Sequence, residues 1–225
     1  EELAVYEDVS GEVPLEPLSL ETSRVMDSEI VRPQPALGEK MPAYLGIDVG
    51  SISPNLVVIH SDGRMISKVY LMTGGEPINA VRDGLKIIGD DVGDIVDIRG
   101  VCTTGSGRYL IGDFVGADVV KNEITAHARG ALATDPEVDT IFEIGGQDSK
   151  YVSLRNGHVV DFTMNKVCAA GTGSFLEEQA EKLGISIKEE FARLALASPT
   201  PRDLGERCTV FMETEMVKHQ QAGAT

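Results

Sequence analysis

The feature that most constrains the fold of this 225-residue chain is an internal repeat. The stretch Ile47–Gly50 recurs as Phe142–Gly145, and each copy has an apolar residue, an acid, an apolar residue and then glycine. The strand patterns that follow recur as well, because NLVVIHSDGRMISKVYLM is echoed by SKYVSLRNGHVVDFTM, each with a turn glycine. Two β-hairpin units, each followed by helical patterns, predict a duplicated, two-lobed α/β fold with a ligand between the lobes.

The pattern divides the chain into three segments. Residues 1–41 mix Pro, Glu, Ser and Gly without periodicity, which is typical of a linker or extended arm. Residues 42–135 predict a first lobe of strands and helices, with the glycine-rich turn GSGR after its fourth strand. Residues 136–225 predict a second lobe, which we expect to be incomplete because the sequence stops directly after a helical pattern.

Charge and hydropathy exclude several classes of partner. A formal net charge of −16 without a basic run argues against nucleic acid and against an acidic membrane surface. No apolar run approaches the roughly 18 residues that a membrane span needs, and the first residues do not resemble a signal peptide. We therefore expect a cytoplasmic protein with reduced cysteines.

Two loops carry the residues expected to bind phosphate. The acids Asp48 and Glu143 each end a predicted strand, and the glycines after them predict tight turns with free backbone N–H groups. Two such loops that face each other would hold a polyphosphate, with Mg²⁺ bound to the acids through water. Gln147 and Asp148 follow in the second loop, where they either position a hydrolytic water or cap the turn.

Two of the three cysteines stand at predicted helix starts. Cys168 precedes a helix that begins near Gly173, and Cys208 precedes a helix through FMETEMVKH, while Cys102 lies in a strand pattern typical of the core. A helix N-terminus favours the thiolate that binds metal, although a single such cysteine is more often a packing residue. Two ligands per chain fit one [4Fe–4S] cluster on the axis of a symmetric dimer, and zinc is an alternative.

Six motifs give the chain a family resemblance from about Tyr44 to Gln220: IDVGS, GSGR, NEITAHARGA, EIGGQDSK, NKVCAAGTGSFLEEQA and CTVFMETE. They resemble the ATPases that activate 2-hydroxyacyl-CoA dehydratases and drive benzoyl-CoA reductases, and most closely the second activase segment of long CoA-substrate-specific enzyme activases. The resemblance implies the actin/Hsp70/sugar-kinase fold with ribonuclease-H-like lobes and ATP between them. It also implies a homodimer, or a pairing with another activase segment, bridged by one [4Fe–4S] cluster.

The resemblance also implies roles for individual residues. Cys168 and Cys208 would ligate the cluster, Asp48 and Glu143 would surround Mg²⁺, and Gln147 and Asp148 would handle the hydrolytic water. The nucleotide-binding residues would be Gly50, Ser51, Gly105, Gly145 and Gly146, with Gly171, Thr172 and Gly173 connecting the nucleotide to the cluster. Ferredoxin or flavodoxin would supply the electron, and an iron–sulfur dehydratase or reductase of a CoA substrate would receive it.

Three departures from the family pattern keep other functions open. The first loop continues as Ile52–Asn55, without the threonines and the lysine of many relatives; Glu143 replaces an aspartate; and no adenosine loop precedes Thr225. A sugar- or acetate-type kinase of the same fold and a non-catalytic dimerisation or docking domain are the alternatives. The four histidines lack ligand spacing and are expected to be ordinary surface or hydrogen-bonded residues: His60, His127, His158 and His219.

Overall fold

The computed structural model describes residues 15–26, 29–36, 38–166, 171–205 and 208–223, apart from the side chain of Val210. These residues form two compact units. One unit contains the described residues from 26 to 172, and the other contains those before residue 26 and those from 173 onward.

A five-stranded sheet organises the first part of the larger unit. Its strands are β1 (Met41–Val49), β2 (Pro54–His60), β3 (Met65–Tyr70), β4 (Val96–Thr104) and β5 (Val119–Val120), in the order β3-β2-β1-β4-β5. The first three strands form an antiparallel meander, and β4 and β5 continue the sheet in parallel. The four longer strands confirm the sequence prediction, whereas the two-residue β5 is too short to leave a periodic signal.

Alternation along β1 explains which face of this sheet is buried. Leu45, Ile47 and Val49 are all buried, and their neighbours are not. They share one core cluster with residues of α1 (Pro77–Val92) and α2 (Arg108–Val115). A Cβ at Gly84 would lie 2.7 Å from Leu56 Cδ1, so this glycine lets α1 pack closely on β2. Asp48 alternates with these buried residues and is half-exposed near the end of β1.

A second hairpin unit follows α3 (Glu123–Thr134). Strands β6 (Thr140–Ile144), β7 (Ser149–Arg155) and β8 (His158–Met164) form an antiparallel three-stranded sheet. The β7–β8 turn uses Asn156 and Gly157, both with positive φ, as expected for an Asn-Gly hairpin turn. Asn122 caps α3 by accepting a hydrogen bond from the Ile124 N–H, at 2.8 Å.

The described residues of the smaller unit form three helices: α4 (Gly173–Lys182), α5 (Phe191–Ala197) and α6 (Thr209–Gln221). The starts of α4 and α6 confirm the prediction, and α5 is an addition to it. Lys182 joins α4 to α6 through an ion pair with Glu213, at 2.8 Å. Among the described residues, no helix has the length and apolar content to cross a membrane.

The described part of the N-terminal arm has neither helix nor strand before Met41. Part of it nevertheless contacts the sheet. The Val31 N–H donates to the Met65 carbonyl at 2.9 Å, and the Arg32 guanidinium lies 2.7 Å from Asp91 Oδ1 on α1. Val31 and Arg32 therefore attach this part of the arm to β3 and α1 within the larger unit.

Candidate nucleotide-binding site

The duplication predicted from sequence is visible in the turns that join the strands of each hairpin. The Gly50 N–H donates to the Ser53 carbonyl at 3.0 Å, and the Gly145 N–H donates to the Asp148 carbonyl at 2.8 Å. The two loops therefore close with the same hydrogen bond. This corrects the expectation that the glycine N–H groups are free, because the first glycine of each loop uses its N–H inside the turn.

The strand register places the two acids in equivalent positions. Asp48 on β1 faces Asn55 on β2, and Glu143 on β6 faces Lys150 on β7. The second hairpin thus has a lysine where the first has an asparagine. The cationic side chain therefore comes from the second hairpin, since Asn55 at the equivalent position of the first hairpin carries no charge.

A cleft of about 150 Å³ lies where the two loops, the GSGR turn and α3 meet. Its lining contains most of the residues that were predicted from the sequence to bind a nucleotide or to act on it. The lining residues are Asp48, Gly50, Ser51, Ile52, Ser53, Asn55, Gly105, Ser106, Glu123, His127, Glu143, Gly145, Gly146, Gln147, Asp148 and Lys150. All of them belong to the larger unit.

Two glycines are required by close approaches around this cleft. Gly105 has a φ of +84°, and a Cβ there would collide with Asp48 Oδ1 and with the Val49 carbonyl. The Gly107 N–H donates to the same carbonyl at 3.0 Å, so the GSGR turn lies against the end of β1. At Gly146, a Cβ would collide with the side chain of Ile52, which brings the second loop against the first.

Lys150 is the centre of an ion-pair network in the cleft wall. Its side chain is 6% exposed, and its Nζ lies 2.7 Å from Glu143 Oε2 and 3.6 Å from Glu123 Oε1. Burial lowers the pKa of Lys150, but the hydrogen bond to Glu143 and the nearby carboxylates outweigh burial, so that the pKa is raised. Lys150 therefore remains charged at neutral pH although it is nearly buried.

At Asp48, by contrast, burial outweighs the attraction of nearby cations, and the pKa is raised. Burial raises the pKa of its carboxyl, the charges of Glu123 and Glu143 raise it further, and His127 and Lys150 only partly oppose them. The ionised form of Asp48 is thus disfavoured. A cation bound beside Asp48 would relieve this unfavourable charge.

Sequence reasoning missed three ionisable residues of the cleft wall: Glu123, His127 and Lys150. His127 corrects the expectation of an ordinary histidine, because it lines the cleft and its Nδ1 is buried without a hydrogen-bond partner among the described residues. A signal for two of them existed in the motif NEITAHARGA, to which no role was assigned. Lys150 ends EIGGQDSK, but only the register with Glu143 shows where its side chain lies.

Three other predicted site residues, Gln147, Asp148 and Thr172, lie in the second loop or bond to it. The Gln147 carbonyl accepts a hydrogen bond from Asn165 Nδ2 at 3.0 Å, and Gln147 and Asp148 both line the cleft. Thr172 is buried, and its hydroxyl donates to the Gly146 carbonyl at 2.7 Å. Gly171 has a φ of +86°, and Gly173 begins α4 in the other unit.

The predicted cluster ligands are described only in part. Cys208 is exposed and is the N-cap residue of α6, as predicted, whereas Cys168 lies outside the described residues. Cys102 lies on β4 and is half-buried, which raises the pKa of its thiol. Within the described part of the chain, no group of three or more His, Cys, Asp or Glu side chains forms a preformed metal site.

The strand order and the matched hairpin loops over a cleft define a protein of the actin-like ATPase fold, and solved structures agree. The activator of 2-hydroxyisocaproyl-CoA dehydratase from Clostridium difficile, with bound ADPNP, matches with a TM-score of 0.73 and 32% identity, over 81% of this chain and 67% of that one. Component A of (R)-2-hydroxyglutaryl-CoA dehydratase from Acidaminococcus fermentans matches with a TM-score of 0.70 and 31% identity, over 81% and 70%.

Sequence comparison places the chain within one family of this fold. The family described as "BadF/BadG/BcrA/BcrD ATPase family" matches residues 45–225, and the chain belongs to it. The activator of lactoyl-CoA dehydratase from Anaerotignum propionicum is 36% identical over 186 residues, which cover 80% of this chain and 69% of that protein. The 2-hydroxyisocaproyl-CoA dehydratase activator of Clostridioides difficile is 33% identical, and this chain spans 66% of its length.

Proposed function

We propose that this chain is an ATP-dependent, cytoplasmic activase module that passes a low-potential electron to a dehydratase or reductase acting on a CoA substrate. The observation that carries the proposal is the cleft between two hairpin loops that close with the same hydrogen bond and each follow a strand-end acid. Family membership supports it, because relatives that match most of this chain are named dehydratase activators or activating ATPases.

The metal and phosphate part of the proposal relies on the cleft wall. Mg²⁺ is commonly bound by one or two carboxylates together with water and substrate phosphates, so Asp48 and Glu143 fit it without a third protein ligand. The remaining nucleotide contacts would come from the two loops and from the turn after β4. Those proposed residues are Gly50, Ser51, Gly105, Gly145 and Gly146.

Hydrolysis is assigned to the second loop. Gln147 and Asp148 line the cleft beyond the acid, where a polar side chain can orient a water for in-line attack on the terminal phosphoryl group. Little covalent chemistry is asked of the protein in such a reaction, because positioning and charge stabilisation supply most of the rate. We expect Gln147→Ala to slow turnover more than it weakens nucleotide binding.

The electron-transfer part relies on Cys208 at the start of α6 and on Cys168, which precedes α4 in the sequence and lies outside the described residues. Cys208 is exposed at the N-terminus of a 13-residue helix, so its sulfur is accessible as an iron ligand. Cys208 and Cys168 would supply two of the four ligands of a [4Fe–4S] cluster shared across a dimer. The cluster would supply one-electron chemistry at low potential. Ferredoxin or flavodoxin is the proposed donor.

A hydrogen bond offers a route from nucleotide to cluster. Thr172 ties the segment 171–173 to the Gly146 carbonyl of the second loop, and α4 begins at the next residue. A change of the loop on hydrolysis would therefore reach the first turn of α4 through Thr172, as in other switches that are biased by the terminal phosphate.

The test is iron and sulfide content with oligomeric mass after anaerobic reconstitution. Wild type and the control Cys102→Ser should hold about four irons per dimer, as one [4Fe–4S] cluster requires, whereas Cys168→Ser and Cys208→Ser should lose them. A folded wild type without iron would overturn the cluster. Absence of ADPNP binding by the same protein would overturn the ATPase function and leave a docking or dimerisation domain.

A further inference from the structure

The lining of the cleft is strongly unbalanced in charge. Four carboxylates line it, and Lys150 is the one lysine or arginine among the described lining residues. The carboxylates are Asp48, Glu123, Glu143 and Asp148. An excess of negative charge in a partly desolvated site repels a polyphosphate, so binding of a nucleotide requires compensating cations.

Lys150 is engaged by carboxylates from two directions. Glu143, from β6 of the second hairpin unit, accepts its closest ion pair, and Glu123, from the first turn of α3, lies within ion-pair distance. Glu123 is also 3.7 Å from a guanidinium nitrogen of Arg108. Lys150 therefore neutralises the carboxylate of Glu143 that a divalent cation would need.

We propose that Lys150 occupies the place of a divalent cation on Glu143 until such a cation binds there, and that Lys150 then contacts a nucleotide phosphate. This inference rests on the proposed ATP-dependent function. The ammonium group has three donors on a flexible stem, so it can leave one carboxylate oxygen for a phosphate oxygen nearby.

The comparison of the two hairpins supports this role. The register partner of Asp48 is Asn55, which carries no charge, whereas the register partner of Glu143 is Lys150. The first hairpin therefore contributes no cation at this position, and Lys150 on β7 of the second hairpin is the source of the positive charge. Since ion pairs to phosphate are stronger than neutral hydrogen bonds, loss of Lys150 should mainly lower the affinity for the nucleotide.

Titrations with two probes separate the two parts of the inference. Binding of Mn²⁺ without nucleotide is measured from the electron paramagnetic resonance signal of the free ion, and binding of ADPNP with Mg²⁺ is measured by calorimetry. In Lys150→Met, we expect Mn²⁺ to bind at least about threefold more tightly and ADPNP about tenfold more weakly, as for loss of one charge-assisted hydrogen bond. Lys150→Arg should preserve both wild-type affinities.

Controls keep the outcomes distinct. Lys86→Met, on the exposed side of α1, removes the same charge away from the cleft and should change neither affinity. If Lys150→Met does not give the thermal unfolding transition of a folded protein, Lys150→Gln is used with the same expectations, because it keeps a donor for Glu143 without the charge.

Each result supports or overturns a stated part. An unchanged or weaker Mn²⁺ affinity in the variant overturns the occupation of the cation's place, and an unchanged ADPNP affinity overturns the phosphate contact. If wild type binds Mn²⁺ but no ADPNP, the ATPase function and the phosphate contact both fail, while the Mn²⁺ comparison still decides whether Lys150 blocks the cation.

Discussion

The carboxyl of Asp48 illustrates at the residue scale how the residues of a binding cleft can lower the stability of the folded chain. Burial and two neighbouring carboxylates raise its pKa above the unfolded value of 3.8, so folding disfavours the ionised form that the unfolded chain holds at pH 7. The unfavourable contribution appears as the pH rises through the folded pKa and is absent below the unfolded value of 3.8. We expect Asp48→Asn to raise the free energy of unfolding at pH 7 and to abolish metal-dependent ADPNP binding.

Urea unfolding at pH 7 and below pH 3.8 checks this prediction. The advantage of Asp48→Asn should shrink at the acid pH, where wild-type Asp48 is protonated. Asp83→Asn, on the exposed side of α1, is the matched control and should be neutral at both values. Equal stability of wild type and Asp48→Asn at pH 7 would contradict the prediction.

Gly146 provides a second prediction at this scale, because a Cβ there would collide with the Ile52 side chain. Gly146→Ala should lower the free energy of unfolding by about 1–3 kcal/mol, as overpacking usually does. Since the obstacle is a side chain, adding Ile52→Ala should recover part of the loss, with a coupling of roughly 0.5–3 kcal/mol. Denaturant unfolding of both single variants and the double variant measures this coupling.

A matched control exists on α3, where a Cβ at Gly130 meets open space. Gly130→Ala should stabilise the protein by about 0.4–1 kcal/mol, because alanine restricts the unfolded chain and suits a helix. Strict additivity of Gly146→Ala and Ile52→Ala would show that the two loops are not in contact.

The same residues show what could be predicted from the sequence. Asp48 and Glu143 were found because a repeated strand-end acid followed by glycine is a local pattern. Glu123, His127 and Lys150 were missed because their place in the cleft depends on strand register and on the approach of α3, which a single sequence does not display. The prediction of free N–H groups in the loops was wrong for Gly50 and Gly145, since each of these N–H groups donates a hydrogen bond within its own turn.

At the element scale, the contact between the N-terminal arm and α1 gives a third prediction. Arg32 and the Ser67 hydroxyl both bond Asp91 and lower its pKa. The resulting stability is present above the unfolded value of 3.8 and is lost as the pH falls through the folded pKa. Asp91→Asn should therefore lower the free energy of unfolding at pH 7, by about 0.5–1 kcal/mol because the pair is largely solvent-exposed.

Asp90 is the control for this pair, because it is the neighbouring acid and is exposed. Thermal unfolding of Asp91→Asn and Asp90→Asn at pH 7, at low and high salt, gives the measurement. The effect of Asp91→Asn should diminish at high salt, and an equal loss in both variants would show that general charge, and not the contact with Arg32, is responsible.

Periodicity accounts for which elements were foreseen. The four long strands of the first sheet and the strands of the second hairpin have apolar alternation or apolar runs, so their positions could be predicted. Strand β5 exists through two parallel pairings with β4, and the ion pair of Arg32 with Asp91 joins residues 59 positions apart. Such long-range partners leave no local pattern in either segment.

At the scale of the whole molecule, net charge affects the stability of the proposed dimer. Each chain carries a formal charge of −16, so two chains repel each other unless salt or the shared cluster compensates. The Debye length falls from about 30 Å at 0.01 M ionic strength to about 8 Å at 0.15 M, which screens repulsion between chains but hardly affects iron–thiolate bonds. The reconstituted protein should therefore dimerise more tightly as salt rises.

Sedimentation equilibrium of the reconstituted and iron-free proteins over this range of ionic strength tests the argument. We expect the dimer dissociation constant of the reconstituted protein to fall by about tenfold, which corresponds to about 1.4 kcal/mol of relieved repulsion. Cys208→Ser should remain monomeric at low salt, because without both thiolates the repulsion is not compensated. A dimer that is equally stable with and without iron would place the subunit contact away from α6 and would separate dimerisation from the cluster.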